Sequence, residues 1–152
     1  MKVYVASSFS LIQKLEFIAE ALEYDGHEIT CKWWARNYNI EGEGPVNTQV
    51  LKKRFKDLPP DEFYSKPEAR YSFRADLKGI EEADVFVLVG PDEASRSSLV
   101  GANVELGYAM GLGKSCFSVG ALVNSAMYYN LKRCDYTGEL LYELKEFEAE
   151  KK

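Results

Sequence analysis

The sequence contains little of what several classes of function require. Lys and Arg number 19 against 24 Asp and Glu, which gives a net charge of −5. A protein that binds a nucleic-acid polymer needs a dense basic face to neutralise phosphates, and this charge balance argues against one. The single histidine and three cysteines, none spaced as C-x-x-C, cannot assemble a Cys/His zinc site. We therefore predict no metal, no redox cofactor and no nucleic-acid partner.

Long apolar runs are also missing. The first one, at residues 3–6, has the length of a strand, and none approaches the ~20 residues of a membrane helix. We expect no signal peptide, no membrane contact and a cytoplasmic location in which Cys31, Cys116 and Cys134 stay reduced. A nucleophilic pair of Cys31 with His27 is an alternative that is disfavoured, because both lie in one predicted strand.

The 152 residues fit one domain that begins with a β-α-β unit. The predicted first strand, residues 3–6, is followed by a capping box of Ser10 with Gln13 and by apolar residues at helical spacing, namely Leu11, Leu15, Ile18 and Leu22. Gly26 ends that helix, and residues 28–34 form the second strand. Such a unit predicts a parallel sheet with a right-handed crossover.

The rest of the chain continues this alternation, except for one segment. Residues 35–67, interrupted by glycine and proline, are predicted to be a loop-rich insertion with one short helix at 50–58. Further helices are predicted at residues 68–82, 102–112 and 138–149, and strands at 85–89, at 115–119 and near Lys132. Trp34, beside the insertion, either packs it down or stacks on a planar base.

Three loops, at residues 7–10, 90–100 and 120–125, follow the carboxyl ends of predicted strands, where parallel sheets bind ligands. Glu105 is predicted in the first turn of its helix, where it either complements the helix dipole or stays ionised as a nucleophile facing the crevice.

Three aspartates are further candidates. Asp76 lies in an inward-facing run, where a lone carboxylate needs a partner, and it is a better site candidate than Asp84, a cap or turn residue. Asp92, in a strand-end loop, is either solvated or functional. The segment 113–115, Gly-Lys-Ser, runs from helix to strand and is interpreted as a helix stop, not a P-loop.

Three segments together resemble the nucleoside 2-deoxyribosyltransferase-like family. They are residues 3–8 (Val-Tyr-Val-Ala-Ser-Ser), Asp76 with residues 83–85 (Ala-Asp-Val), and residues 101–109 (Gly-Ala-Asn-Val-Glu-Leu-Gly-Tyr-Ala) followed by Gly-Lys at 113–114. The last segment is the most specific. The resemblance covers about 80 positions in register and leaves out residues 35–67.

The resemblance implies a flavodoxin-like, Rossmann-like α/β fold: an open parallel sheet of five strands with helices on both faces. It also implies that Glu105 is the nucleophile, that Asp76 assists it and that Tyr4 supports the carboxylates. The implied mechanism is retaining: Glu105 attacks the anomeric carbon and forms a glycosyl ester, which water or a second base resolves, as in retaining glycosidases. No cofactor is needed.

The resemblance also suggests how substrate is held. Residues 125–127, Ser-Ala-Met, are similar to the branch that hydrolyses 2′-deoxynucleoside 5′-phosphates, in which the serine reaches a neighbouring subunit's ligand, so we expect a homodimer or a larger homo-oligomer. Ser10 replaces the arginine of that branch, and Lys14 could substitute only as a point charge. Asn124 is a loose match to the asparagine of the transferase branch. The predicted substrate-binding residues are Ser7, Ser8, Phe9, Ser10, Trp34, Asp92, Gly101, Asn103, Ser125 and Met127.

The predicted activity is cleavage or transfer at the N-glycosidic bond of nucleosides or their 5′-monophosphates. A hydrolase restricted to deoxynucleoside monophosphates and a nucleotide-binding sensor without turnover are the alternatives.

Overall fold

The computed structural model describes residues 1–93, 99–123 and 125–152. Its main sheet has five parallel strands in the order β2-β1-β5-β6-β7, with β1 at Lys2–Ala6, β2 at Glu28–Ile29, β5 at Val85–Val89, β6 at Ser115–Val119 and β7 at Lys132–Cys134. Counted within the sheet, this is the 2-1-3-4-5 order of flavodoxin-like folds, so the predicted fold class is confirmed.

Helices cover both faces of the sheet. They are α1 (Ile12–Tyr24), α2 (Thr48–Phe55), α3 (Pro60–Ser65), α4 (Pro67–Glu82), α5 (Val100–Gly111) and α6 (Thr137–Glu150). Helix α1 packs against α6, whereas α4 packs against α5 and β1. Within the part of the chain that the structure describes, no helix is both long and apolar enough to span a lipid bilayer.

The two central strands, β1 and β5, form the middle of the core. Every residue of β5 is buried, as are the last four residues of β1. This agrees with their continuous apolar sequences, which are typical of parallel strands covered on both faces. Tyr4 is the one residue among them with a polar side-chain group, because it places a phenol hydroxyl inside the core.

The second strand is much shorter than predicted. Residues 28–34 were expected to be strand, but β2 ends at Ile29 and the chain enters a 3₁₀ turn at Trp33–Ala35. The hydroxyl of Thr30 donates to the carbonyl of Gly79 on α4 at 2.8 Å. Further along, the indole N–H of Trp33 donates to the carbonyl of Val5 at 2.9 Å. Side-chain hydrogen bonds thus replace the strand ladder at this edge.

The prediction of a loop-rich insertion is also wrong, because residues 35–67 are largely ordered into elements. Strands β3 (Asn37–Ile40) and β4 (Gly44–Asn47) form an antiparallel hairpin, and α2 and α3 follow. The side chain of Asn47 caps α2 by accepting from the N–H of Val50. Tyr38, Val46 and Leu51 form a small separate core. Gly42 lies in the hairpin turn, and Pro60 and Pro67 begin α3 and α4, whereas Pro45 lies within β4.

The first helix begins differently from the prediction. Its N-cap is Leu11, which makes no side-chain capping bond, and the hydroxyls of Ser8 and Ser10 lie 2.5 Å apart instead. The predicted capping box is therefore absent, and Ser10 lies in a 3₁₀ turn, Phe9–Leu11, that precedes α1. The predicted helix stop at Gly26 is correct: its φ is +89°, a conformation that glycine adopts without strain.

Candidate active site

A cavity of about 470 Å³ opens where the strand order reverses, beyond the carboxyl ends of β1 and β5. This is where open α/β sheets bind ligands. Its lining among the described residues consists of Ser7, Ser8, Phe9, Ser10, Trp33, Lys52, Asp76, Gly101, Ala102 and Glu105. The cavity is therefore lined by the segment that follows β1, by Trp33, by Lys52 of the insertion, and by helices α4 and α5.

Glu105 of α5 lines the cavity and contacts Tyr4 of β1. The phenol hydroxyl of Tyr4 donates to Oε1 of Glu105 at 3.1 Å. Burial, which is the larger cause, and the charge of Asp76 raise the pKa of Glu105 to about 7, although the bond from Tyr4 opposes this rise. Burial and then the charge of Glu105 raise the pKa of Tyr4 itself, which keeps the phenol protonated as a donor.

The predicted position of Glu105 in a first helical turn is wrong. Helix α5 starts at Val100, so Glu105 is in its second turn and there is no acidic residue in the first. At that depth the helix N–H groups are already bonded within the helix, so the dipole does not keep the carboxylate ionised. Burial has the larger effect, and it makes this group titrate near neutrality.

Asp76 of α4 has the partner that an inward-facing carboxylate requires. Its Oδ1 lies 2.6 Å from a guanidinium nitrogen of Arg36 and 3.6 Å from the Sγ of Cys31. Burial raises the pKa of Asp76, and the bond and charge of Arg36 partly offset that effect. The candidate site thus contains two carboxylates, of which one is paired with a cation and the other with a phenol.

Lys52 is the one cation among the described residues that line this cavity. It comes from α2, inside the insertion, and its ammonium lies 3.7 Å from the centroid of the Phe9 ring. Burial lowers the pKa of Lys52. In contrast, Lys14 forms an ion pair with Asp92 at 2.7 Å and is not part of the described lining.

The aromatic wall of the cavity is formed by Phe9 and Trp33, whose rings meet edge to face at 5.2 Å. Trp34, for which packing and base stacking were both open, is buried in the core next to Trp33 and is not part of the described cavity lining. Its burial agrees with the packing alternative, and the neighbouring Trp33 lines the cavity instead. A second cavity, of about 370 Å³ and mainly apolar, lies beneath the insertion and shares Phe9 and Lys52 with the first.

Three predicted substrate-binding residues that line the cavity are serines after β1. The hydroxyl of Ser7 is already used, since it donates to the carbonyl of Val89 at 2.9 Å. The hydroxyls of Ser8 and Ser10 bond to each other. Among the predicted residues Phe9 and Gly101 also line the cavity.

The remaining predicted contacts lie outside the described lining of the cavity. Asp92 is exposed and paired with Lys14. The side-chain oxygen of Asn103 accepts a bond from the hydroxyl of Tyr128 at 3.0 Å. Ser125 precedes a 3₁₀ turn at Ala126–Tyr128. Asn124 and the side chain of Met127 lie outside the described residues.

Apart from Ala102, which adjoins the predicted Gly101, three residues of the site were not predicted: Trp33, Arg36 and Lys52. All three lie in or beside the segment that the family resemblance does not cover, and a single Lys or Arg in such a segment carries no sequence signal. The suggested pair of Cys31 with His27 is not formed: His27 lies near Asp25, and burial raises the pKa of the Cys31 thiol to about 11. Among the described residues no group of three or more potential ligands could hold a metal ion.

Two solved structures are similar to this protein over nearly the whole chain. A CMP N-glycosidase of Clostridium botulinum, BcmB, superposes with a TM-score of 0.50 at 15% identity, over 96% of this chain and 99% of that one. A 2-deoxyribosyltransferase of Bacillus psychrosaccharolyticus superposes with a TM-score of 0.58 at 22% identity, over 93% and 90%. The chain shares its α/β fold with both solved structures. No protein-family model matches the sequence, and neither does any curated protein.

The shared fold extends over nearly the whole of both solved structures. The ordered insertion at residues 35–67 is therefore part of a chain that has about the same length as theirs. At these identities the similarity establishes the fold, and the chemistry must be argued from the site.

Proposed function

We propose that the protein cleaves or transfers at the N-glycosidic bond of nucleosides or their 5′-monophosphates, with Glu105 as nucleophile. The observation that carries this proposal is the pair of carboxylates in one crevice: Glu105, with one oxygen held by Tyr4, and Asp76, held by Arg36. The similar solved structures, a CMP N-glycosidase and a 2-deoxyribosyltransferase, support it.

The proposed reaction proceeds in two displacements. The ionised oxygen of Glu105 forms a bond to the anomeric carbon of the sugar while the bond to the base nitrogen breaks, and the electron pair leaves with the base, which takes up a proton. Water, losing a proton, or the nitrogen of a second base then displaces Glu105 and restores its carboxylate. Burial of the nucleophile is useful here, because an ester is uncharged and is favoured by a site that disfavours the carboxylate.

A 5′-phosphate would be bound at the outer part of the same cavity. Ser8 and Ser10 offer two hydroxyls. Lys52 would supply the positive charge that the resemblance led us to expect from an arginine at position 10. Among the described residues Lys52 has no acidic partner, so its charge is available to a ligand. A charge-assisted bond to phosphate contributes about 1.5–3 kcal/mol.

The decisive experiment measures release or exchange of base from a panel of nucleosides and monophosphates, with and without an acceptor base. Wild type should release base, and Glu105→Gln should not, because an amide cannot form the ester. Undiminished release by Glu105→Gln would refute the mechanism. Binding without release in wild type would instead support the alternative of a sensor, and release without exchange would support the hydrolase.

We further propose that the protein is a homodimer in which Ser125 serves the partner's site. Helix α5 supports this, since Val100 and Val104 lie one turn apart on one face and are 69% and 61% exposed. Light scattering should therefore find at least a dimer, and Val104→Glu should shift it toward monomer with loss of activity. A fully active monomer at micromolar concentration would contradict this assembly.

A further inference from the structure

Arg36 is the most closely held cation near the candidate site. Its side chain is only 11% exposed, and one terminal nitrogen lies 2.6 Å from Oδ1 of Asp76 and 2.9 Å from Sγ of Cys31. The other terminal nitrogen donates to the carbonyl of Ser72 at 3.4 Å and contacts the hydroxyl of Tyr38 at 3.5 Å. These contacts fix the guanidinium against α4, behind the carboxylate that faces the cavity.

The insertion holds the backbone of Arg36 in the same way. The N–H of Thr48, at the start of α2, donates to the Arg36 carbonyl at 2.9 Å, and the Thr48 hydroxyl lies 3.0 Å from the same oxygen. That hydroxyl also lies 3.0 Å from the carbonyl of Trp33. Hydrogen bonds from Thr48 at the N-terminus of α2 thus hold the turn at Trp33–Ala35, which Arg36 follows.

We propose that Arg36 is a positioning residue that fixes Asp76 as an ionised hydrogen-bond acceptor, so that Asp76 orients a sugar hydroxyl and does not supply a proton to the departing base. The inference rests on the proposed function. It decides whether Asp76 positions the sugar or handles a proton. Arg36 and Cys31 both contact Oδ1, and no described residue bonds to Oδ2, which leaves that oxygen for a ligand in the cavity that Asp76 lines.

Several charged and titratable groups surround Asp76. Arg36 and Cys31 contact it directly, and Tyr38 contacts Arg36. Tyr4 and Glu105, which bond to each other, interact with the charge of Asp76. Lys52 lines the same cavity. Burial, the largest single effect, lowers the pKa of Arg36, but the bond and charge of Asp76, together with the contacts to Tyr38 and Cys31, outweigh burial and raise it. The guanidinium therefore stays charged throughout the working range of pH.

The test compares Arg36→Gln and Arg36→Lys in the complete, substrate-free protein. Titration of the aspartate side chains by carbon-13 NMR, with the Asp76 signal assigned from Asp76→Asn, gives the midpoint of Asp76 directly. Removing a contacting positive charge should raise that midpoint by about 1–3 pH units in Arg36→Gln. Arg36→Lys, which keeps the charge, should stay nearer to wild type.

Kinetics provide the second measurement. In Arg36→Gln the acidic limb of kcat/KM should move to higher pH, because the charge of Arg36 lowers the pKa of both Asp76 and Glu105, whereas Arg36→Lys should restore its position. The matched control is Arg54→Gln, which removes an ion pair with Glu43 in the same insertion, 2.8 Å long and half exposed, and should leave the limb in place. A merely structural role for Arg36 would lower the folded fraction without moving the limb.

The inference is overturned if the Asp76 midpoint is the same in Arg36→Gln as in wild type, or if the kinetic limb does not move. The titration is measured without substrate, so its result does not depend on turnover. If wild type releases no base while the midpoint moves as expected, the proposed function fails and the ionisation of Asp76 by Arg36 stands.

Discussion

Replacing Glu105 by Gln should stabilise the protein at neutral and alkaline pH. Burial raises the pKa of this carboxyl from 4.5 to about 7 in the folded state, so the folded protein binds a proton that the unfolded chain releases. The stability supplied by the protonated form is fully present below pH 4.5 and is lost as the pH rises through 7. Glutamine does not titrate and keeps an oxygen that can accept from Tyr4.

The size of the effect follows from the same values. One pKa unit is equivalent to about 1.4 kcal/mol, so the full difference corresponds to about 3 kcal/mol. The free energy of unfolding of Glu105→Gln minus that of wild type should therefore become more positive by about 2–3 kcal/mol between pH 5 and pH 8. Effects of the amide that do not depend on pH cancel in this comparison.

The assay is urea denaturation of both proteins at four pH values from 5 to 8, with equal slopes as the check on two-state behaviour. Glu146→Gln, at an exposed position of α6, controls for loss of a carboxylate in solvent and should show little pH-dependent difference. A difference between Glu105→Gln and wild type that stays constant from pH 5 to pH 8 would refute the reasoning. It would mean that Glu105 titrates alike in the folded and unfolded chains.

Four other changes have defined outcomes. Tyr4→Phe removes the donor to Glu105, so the acidic limb of the pH–rate profile should move up by about one to two units, the equivalent of one charged hydrogen bond. Lys52→Met should lower kcat/KM for monophosphates about 10- to 100-fold and spare nucleosides; equal losses on both would show that Lys52 does not bind phosphate. Gly79→Ala places a Cβ 2.6 Å from a neighbouring side-chain carbon and should lower the stability by about 1–3 kcal/mol in thermal unfolding. Gly107→Ala, in open space on α5, should raise it by up to about 1 kcal/mol.

The parts of the fold that could be predicted are those in which the local pattern and the tertiary structure agree. The apolar strand at residues 85–89 is buried throughout, and Gly26 ends its helix as predicted. Residues 28–34 have the composition of a strand, but tertiary hydrogen bonds from Thr30 and Trp33 end the ladder early. The sequence pattern of residues 28–34 does not reveal these tertiary hydrogen bonds, which compete with strand pairing.

The candidate site divides in the same way. Glu105, Asp76 and Tyr4 belong to segments with a recognisable sequence, and the structure brings Tyr4 and Glu105 into contact and places Asp76 in the same cavity. Arg36 and Lys52 come from the insertion, where their positions depend on how α2 packs on the turn at Trp33. Their side chains could be placed only once that packing was known.

The early end of β2 has a consequence for how the candidate site could diverge. Beyond Ile29 the chain leaves the edge of β1, and the indole of Trp33 donates to the carbonyl of Val5 where a longer strand would have paired. Tyr4 and Glu105 lie on β1 and α5, whereas Lys52 reaches the same cavity from the insertion. Residues 35–67 can thus diverge in sequence, and with them the shape and charge of the cavity, while β1 and α5 keep Tyr4 and Glu105 in place.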